Sequence, residues 1–483
     1  MRVRPGQMIA VVALAGSLMS AFGAEPSSSI RDLDTTGEAI PSGPKDEAIA
    51  RALRQISPKQ IRHTIETLVS FHTRSTLSSM EHLPKGQGIN AAANWIESEL
   101  KKYSQACQGC LEVKRDTFTQ SPAERVPRPT TITNVYAVLR GSDPARAQYM
   151  YLVTGHYDSR NSDTLDARGE APGANDDASG VAVSLECARV LSQLRPAATI
   201  VFVAVAGEEQ GLDGSRHLAK LAKEQGWQLL GVLNNDIVGG NTTPGDRLQD
   251  KSVVRVYSEG IPALATAEQA KQLETLGYAG DSASRELARA IVESAATYEG
   301  DLASGDSVTG GELYPLLEFR RDRFLRGGDH TAFNQEGFAG VRFTEWREDF
   351  NHQHQNVRTE DGIEYGDLLK FVDFEYVARV AAVNAAALAT LASAPPPPGN
   401  VRLLTKQLDN STSLEWEGAP GNDTDAHYEI VWRALSSPTW QRFIASKSTS
   451  AVVEVSKDNV IFGVRSVDSK GHRSIAVAPM PVR

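Results

Sequence analysis

The sequence predicts an α/β protein: a three-layer sandwich around a mostly parallel (mixed) central sheet, followed by a C-terminal all-β sandwich domain. Three observations predict it. Nearly continuous apolar runs at 149–154, 199–206 and 229–233 are bounded by turn residues, the pattern of strands buried on both faces. Helical periodicity falls between and around them, at 58–71, 88–103, 180–194, 282–296 and 371–392, and alternating strand and helix implies parallel pairing. Beyond Ala394 and four consecutive prolines, short β-rich runs at 412–416, 428–433 and 460–467 are separated by turns.

From the beginning of the chain, Arg2 and Arg4 precede a short apolar stretch that ends in Ala21, Phe22 and Gly23. A basic start, a short apolar core and small residues at the cleavage positions describe a secretory signal peptide over 1–23, hence a secreted or periplasmic protein. Residues 24–49 are polar and read as a flexible lead-in or short propeptide. The α/β domain spans 50–393, the prolines of 394–399 form a semi-rigid spacer, and 400–483 form the last domain. No segment after the leader reads as long enough to span a bilayer.

The 483 residues carry a formal net charge of -10, which argues against a nucleic-acid partner. Of three cysteines, Cys107 and Cys110 are expected to close a tight disulfide loop in an oxidising compartment. Cys187 lies in a helical pattern and reads as a buried, inert thiol.

The polar residues that stand out sit where buried strands end. The first run leads into Gly155, His156, Tyr157 and Asp158, the second into Gly207, Glu208 and Glu209, and the third into Asn234, Asn235 and Asp236. Carboxyl ends of parallel strands form the ligand crevice of open sheets. A loop with glycines at both ends, 173–180, can push Asp176 into the same crevice. Imidazole and carboxylate oxygen are zinc donors. Two zinc ions about 3.5–4 Å apart need one bridging carboxylate and two further ligands each. Glu208, beside a ligand, is placed to act as general base on the attacking water.

The segments GHYDS, PGANDDASG, AGEEQGLDGS, NNDIVG and GGDHTAF, in that order across 50–393, resemble the di-zinc aminopeptidase family. That family includes secreted bacterial leucine aminopeptidases, glutamate carboxypeptidase and glutaminyl cyclase. The resemblance implies two Zn2+ per chain, with His156 and Asp236 on one, Glu209 and a late histidine on the other, and Asp176 between them. It implies Glu208 as the catalytic base, Asp158 as the carboxylate that orients His156, and Asp329 as a supporting carboxylate. Asp177, where the family often has an unusual peptide geometry, is given no direct role.

One part departs from the family. Its last ligand sits in a motif like His-Thr-Pro-x-Asp-Thr, whereas here the segment contains His352, Gln353, His354 and, five residues on, Thr359. His354 keeps the register to the threonine and is the expected ligand, with His352 as rival; in a strand both would point to one side. Tyr314, Phe319 and Phe324 are candidates for a hydrophobic side-chain pocket, with core packing as the alternative.

The expected activity is exported, zinc-dependent removal of N-terminal residues from peptides or proteins. Carboxypeptidase, glutaminyl cyclase and non-catalytic binding relatives are alternatives on the same scaffold. Residues 400–483 resemble a fibronectin type III domain through Trp416, Tyr428, Trp432 and Phe462, although Val460 replaces the usual corner tyrosine. The expectation for this part is a spacer or a surface or polymer contact.

Overall fold

The computed structural model describes residues 31–302, 312–419 and 426–483; the expected signal peptide lies outside the described residues. The central sheet has eight strands: β1 (Leu111–Gln120), β2 (Thr130–Leu139), β3 (Tyr149–His156), β4 (Thr199–Val205), β5 (Gln228–Asn235), β6 (Val253–Ser258), β7 (Tyr314–Glu318) and β8 (Gly340–Glu345). Their order across the sheet is β1-β2-β4-β3-β5-β8-β6-β7. The middle four, β4, β3, β5 and β8, are mutually parallel, and antiparallel pairs flank them.

The apolar runs form strands because both of their faces are covered. Ile200, Phe202 and Ala204 of β4 point into one core layer, and Val201, Val203 and Val205 into the other. The first layer is built by α1 (Pro58–Val69), α2 (Ile89–Ala106), α3 (Ala178–Leu191), α5 (Ala283–Thr297) and α6 (Phe374–Ser393). The opposite layer is thinner, with Leu218 and Ala219 of α4 (Asp213–Glu224) and Phe333 packed over Leu152 and Val232. Pro58 opens α1 at a position where its missing N–H costs nothing.

Parallel register places the polar strand ends side by side. His156 pairs with Val205, and Thr154 pairs with Asn234, so all three strands finish at one edge. The loop into α3 packs tightly against that edge. A Cβ on Gly155 would lie 2.4 Å from Gly180 carbonyl carbon, and one on Gly180 would lie 2.1 Å from Asn235 oxygen. Only glycine permits this approach, which brings the N-terminus of α3 onto the strand ends.

Several expectations need correction. α6 is 20 residues long and apolar enough to cross a membrane, contrary to the reading that no later segment is; instead it is buried in the core. The lead-in expected to be flexible is, from residue 31, packed onto the C-terminal sandwich. Glu38 and Ala39 pair with Phe443 and Arg442, Trp432 donates its indole N–H to Leu33 oxygen at 3.2 Å, and Leu33 enters that core. Pro395, Pro396 and Pro398 are buried rather than forming a free spacer.

The C-terminal sandwich has two four-stranded sheets. One contains Glu38–Ala39, Arg442–Ser446, His427–Ala434 and Val460–Val467; the other contains Ser450–Val453, Thr412–Glu417, Gly399–Leu404 and Met480–Val482. It docks on α5 through buried polar contacts. Arg465 bridges Glu293 at 2.6 Å and Glu429 at 2.7 Å, Arg433 meets Asp281 at 2.6 Å, and Trp440 donates to Glu286 at 3.0 Å. Charges this deeply buried need such partners, so the sandwich and the α/β domain share one polar interface. The expected disulfide joins Cys107 and Cys110, and Cys187 is buried.

Candidate metal centre

Three strand ends and two loops converge on one cluster. His156 ends β3, Glu209 follows β4 and Asp236 follows β5, while Asp176 comes from the loop before α3 and His354 from the turn region after β8. His156, Asp176 and Asp236 form one group of mutually close donors, and Asp176, Glu209 and His354 form a second. Asp176 belongs to both. Its Oδ1 lies 3.1 Å from His156 Nε2, and its Oδ2 lies 2.8 Å from His354 Nε2. His354 Nε2 is also 3.1 Å from Glu209 Oε1, and His156 Nε2 is 3.8 Å from Asp236 Oδ1.

These spacings fit metal ligation. A tetrahedral ion with bonds of about 2.0–2.1 Å separates its ligand atoms by about 3.3 Å. His156 Nε2 and Glu209 Oε1 are buried without a hydrogen-bond partner, an arrangement that costs free energy unless a cation occupies the space. The donor set of two imidazoles and three carboxylates is zinc-like in chemistry.

Each donor is held by a neighbour. Asp367 accepts the N–H groups of Asn175 and Asp176 at 2.8 and 2.7 Å and so fixes the loop. Buried Arg74 braces it from the other side, donating to the carbonyls of Tyr157, Pro172 and Gly173. Asp177 caps α3 through Gly180 N–H at 2.9 Å and also accepts His156 N–H at 3.0 Å and Ile237 N–H at 3.3 Å. It thus joins β3, the segment after β5 and α3, a structural role that the sequence analysis did not assign. The peptide bond between Asp176 and Asp177 is cis.

Asp158 lies where it can orient His156, with Oδ1 at 3.4 Å from Nδ1. It also accepts Glu209 N–H at 3.2 Å and Thr76 hydroxyl at 3.0 Å, so one carboxylate aligns two donor-bearing segments. Arg342 holds Asp236 at 2.9 Å, and Arg160 holds Glu209 Oε2 at 2.9 Å and His354 Nδ1 at 2.6 Å. Gln353 donates to Asp176 Oδ2 at 3.1 Å. Arg74, Arg160, Arg342, Gln353 and Asp367 were not singled out from the sequence. None carries a local pattern, and each acts across a long sequence gap.

The two late histidines point apart. His354 sits in a left-handed conformation with φ of 54°, which turns its ring into the cluster. His352 stacks on Phe371 with ring centroids 3.5 Å apart and lies 3.2 Å from Thr243 Oγ1. The segment is a series of turns rather than a strand, which is why strand geometry did not separate them.

The electrostatics are those of crowded carboxylates. Burial opposes charge on His156, yet Asp158, Asp176 and Asp236 hold its imidazolium well above the usual histidine range. Burial, with Asp236, Glu209 and Asp329 nearby, pushes the Glu208 carboxyl well up. Burial also raises buried Asp329 to about 7, with Asp236 and Asp158 adding to the effect. A bound dication would invert this balance by favouring every carboxylate as an anion. Glu208 is half-buried and faces the same cleft as Asp176, Glu209, Asp236 and His354.

The expected hydrophobic pocket is not formed by the residues proposed for it. Tyr314, Phe319 and Phe324 are 51, 36 and 75 % exposed and do not line the cleft, nor do they pack in the core. Phe319 instead stacks against the guanidinium groups of Arg285 and Arg289. Leu212, Ile237 and Phe350 are the apolar residues that reach the cleft.

Comparison with known proteins identifies the family. The model of "Peptidase family M28" matches residues 134–373. A probable zinc metalloprotease of Pyrenophora tritici-repentis is 45% identical over 450 residues, covering 92% of this chain and 89% of that protein. One of Pyricularia oryzae is 44% identical over 453 residues, covering 92% and 87%. Among solved structures, the LapA aminopeptidase of Legionella pneumophila is 18% identical with a TM-score of 0.47, covering 74% of this chain and 78% of that one.

Proposed function

The chain belongs to peptidase family M28 and is a zinc metallopeptidase, and from that premise we infer that it is a two-zinc aminopeptidase that releases N-terminal residues from peptides. The observation that carries this reading is the position of Asp176, whose two oxygens face two different donor groups. His156 and Asp236 would hold one zinc, Glu209 and His354 the other, with Asp176 shared. When bound, the two cations supply Lewis-acid activation of a water and of the scissile carbonyl.

The chain's own residues do the rest. No hydrogen bond or ion pair ties down the Glu208 carboxylate among the described residues, so it is free to take a proton from the attacking water and deliver it to the leaving nitrogen. Asp158 fixes the backbone N–H of Glu209 beside it and holds the His156 ring, so base and donor keep one geometry. Arg160 holds the Glu209 oxygen opposite the one that faces His354, Arg342 pairs with the Asp236 oxygen that faces His156, and each limits how its carboxylate can turn. The disulfide between Cys107 and Cys110 supports export to an oxidising compartment, where the enzyme would meet peptides.

A panel of amino-acid anilides and their N-acetylated counterparts tests the reading. Chelator-sensitive release from free-amine substrates, with none from blocked ones, is the expected result. Cleavage of blocked substrates alone would contradict it.

A further inference from the structure

The walls of the cleft differ in charge from its floor. The cleft holds about 600 Å³ and is lined by Arg125, Arg160, Arg323 and Arg326 as well as the carboxylates Asp176, Glu208, Glu209 and Asp236. The arginines stand in two pairs. On the Glu209 side, Arg160 donates to Glu209 Oε2 at 2.9 Å, and Arg125 donates to Glu209 carbonyl at 3.1 Å. On the other side, Arg323 and Arg326 share a single carboxylate, donating to Glu348 Oε2 at 2.8 and 2.6 Å. Their loop is tied to the Asp236 group through Arg342, which donates to Gly327 carbonyl at 2.7 Å and pairs with Asp236 at 2.9 Å.

Charge decides what such a cleft accepts. Two dications would offset the four floor carboxylates and leave the floor near neutral. The walls then carry an excess of positive charge: Glu348 serves Arg255 as well as Arg323 and Arg326, Asp322 beside Arg323 also serves Arg342, and Arg125 has no ion-pair partner among the described residues. Arg125 is exposed and the Arg326 side chain is 31% exposed, so both can turn toward a ligand. The guanidinium fork matches a carboxylate with two parallel hydrogen bonds. A positively charged ligand group would find no spare anion on these walls, whereas a carboxylate would find partners on either side of the donor cluster.

We propose that Arg125 and Arg326 are specificity-determining residues that receive a substrate carboxylate close to the scissile bond, so that the enzyme prefers short acidic peptides. This rests on the cleft being the peptidase site. The carboxylate can belong to an acidic side chain or to the free C-terminus of a dipeptide, and the two sources are separable.

Two peptide pairs test this: Ala-Glu-amide against Ala-Gln-amide for the side chain, and Ala-Ala against Ala-Ala-amide for the C-terminus. Binding is measured by calorimetry on the zinc-loaded Glu208→Gln protein, and turnover on the unsubstituted enzyme. The carboxylate member of at least one pair should bind about tenfold tighter or more, with the difference in KM rather than kcat. Arg125→Gln or Arg326→Gln, placed in the Glu208→Gln background, should bring that ratio toward one, and Arg326→Lys should retain part of it. Equal binding within both pairs, no binding by any of the four, or ratios untouched by both glutamine substitutions would overturn the proposal. Carboxylate-selective binding without release of alanine from any peptide would sink the aminopeptidase reading and leave the carboxylate site standing. Turnover of all four at equal efficiency would do the reverse.

Discussion

His354 Nε2 lies 2.8 Å from Asp176 Oδ2, on the opposite oxygen from the one that faces His156. That relationship makes one aspartate the common member of two donor groups. A carboxylate so placed is what a pair of cations needs between them.

Glu208→Gln should lower kcat by about 10²–10⁴-fold, the range for losing a general base. Zinc content by atomic emission should stay unchanged, because Glu208 belongs to neither donor group. Loss of metal together with activity would show that Glu208 is a ligand instead.

The two histidines should behave oppositely. His354→Ala should remove one zinc of two and most of the activity. His352→Ala should keep both zincs and cost about 1–2 kcal/mol of stability through its lost stacking on Phe371. Zinc stoichiometry and thermal unfolding of the two variants decide the matter; the reverse pattern would make His352 the ligand.

Asp177→Ala should be among the most destabilising single changes near the site. It leaves the N–H groups of His156, Gly180 and Ile237 without an acceptor, each buried donor costing about 1–3 kcal/mol. Thermal unfolding should shift down, and zinc affinity should fall with it because His156 loses its anchor. A variant with unchanged Tm would refute this joining role.

Chelation should lower Tm reversibly. Without cations the buried carboxylates lack a counter-charge: burial first, with the neighbouring carboxylates adding to it, raises the Glu208 and Asp329 carboxyls. Zinc at a hundredfold above its Kd adds about 2.7 kcal/mol per site. A calorimetric scan with and without chelator would read the shift; identical scans would mean that the cluster is not a metal site.

Most of the fold and cluster was legible in the sequence because their signals are local. The runs behind β3, β4 and β5 are continuous and apolar, and His156, Glu209 and Asp236 follow them directly. What escaped is non-local. β1 reads LEVKRDTFTQ, whose charges mask an edge strand, and β7 has only five residues. Asp367 holds the backbone of Asp176 across 191 positions, and no pattern near either residue announces the pair. Glu38 and Ala39 pair with a strand about four hundred residues away, so composition alone made them a loose lead-in. The direction of His354 depends on a left-handed backbone angle at a residue other than glycine, which periodicity cannot foresee.

The most direct test of the two-zinc reading is anomalous scattering at the zinc edge from crystals of the loaded protein. Two peaks about 3.5–4 Å apart are expected, one touching His156 and Asp236, the other Glu209 and His354, with Asp176 bound to both. A single peak, or two peaks that do not share Asp176, would contradict that reading.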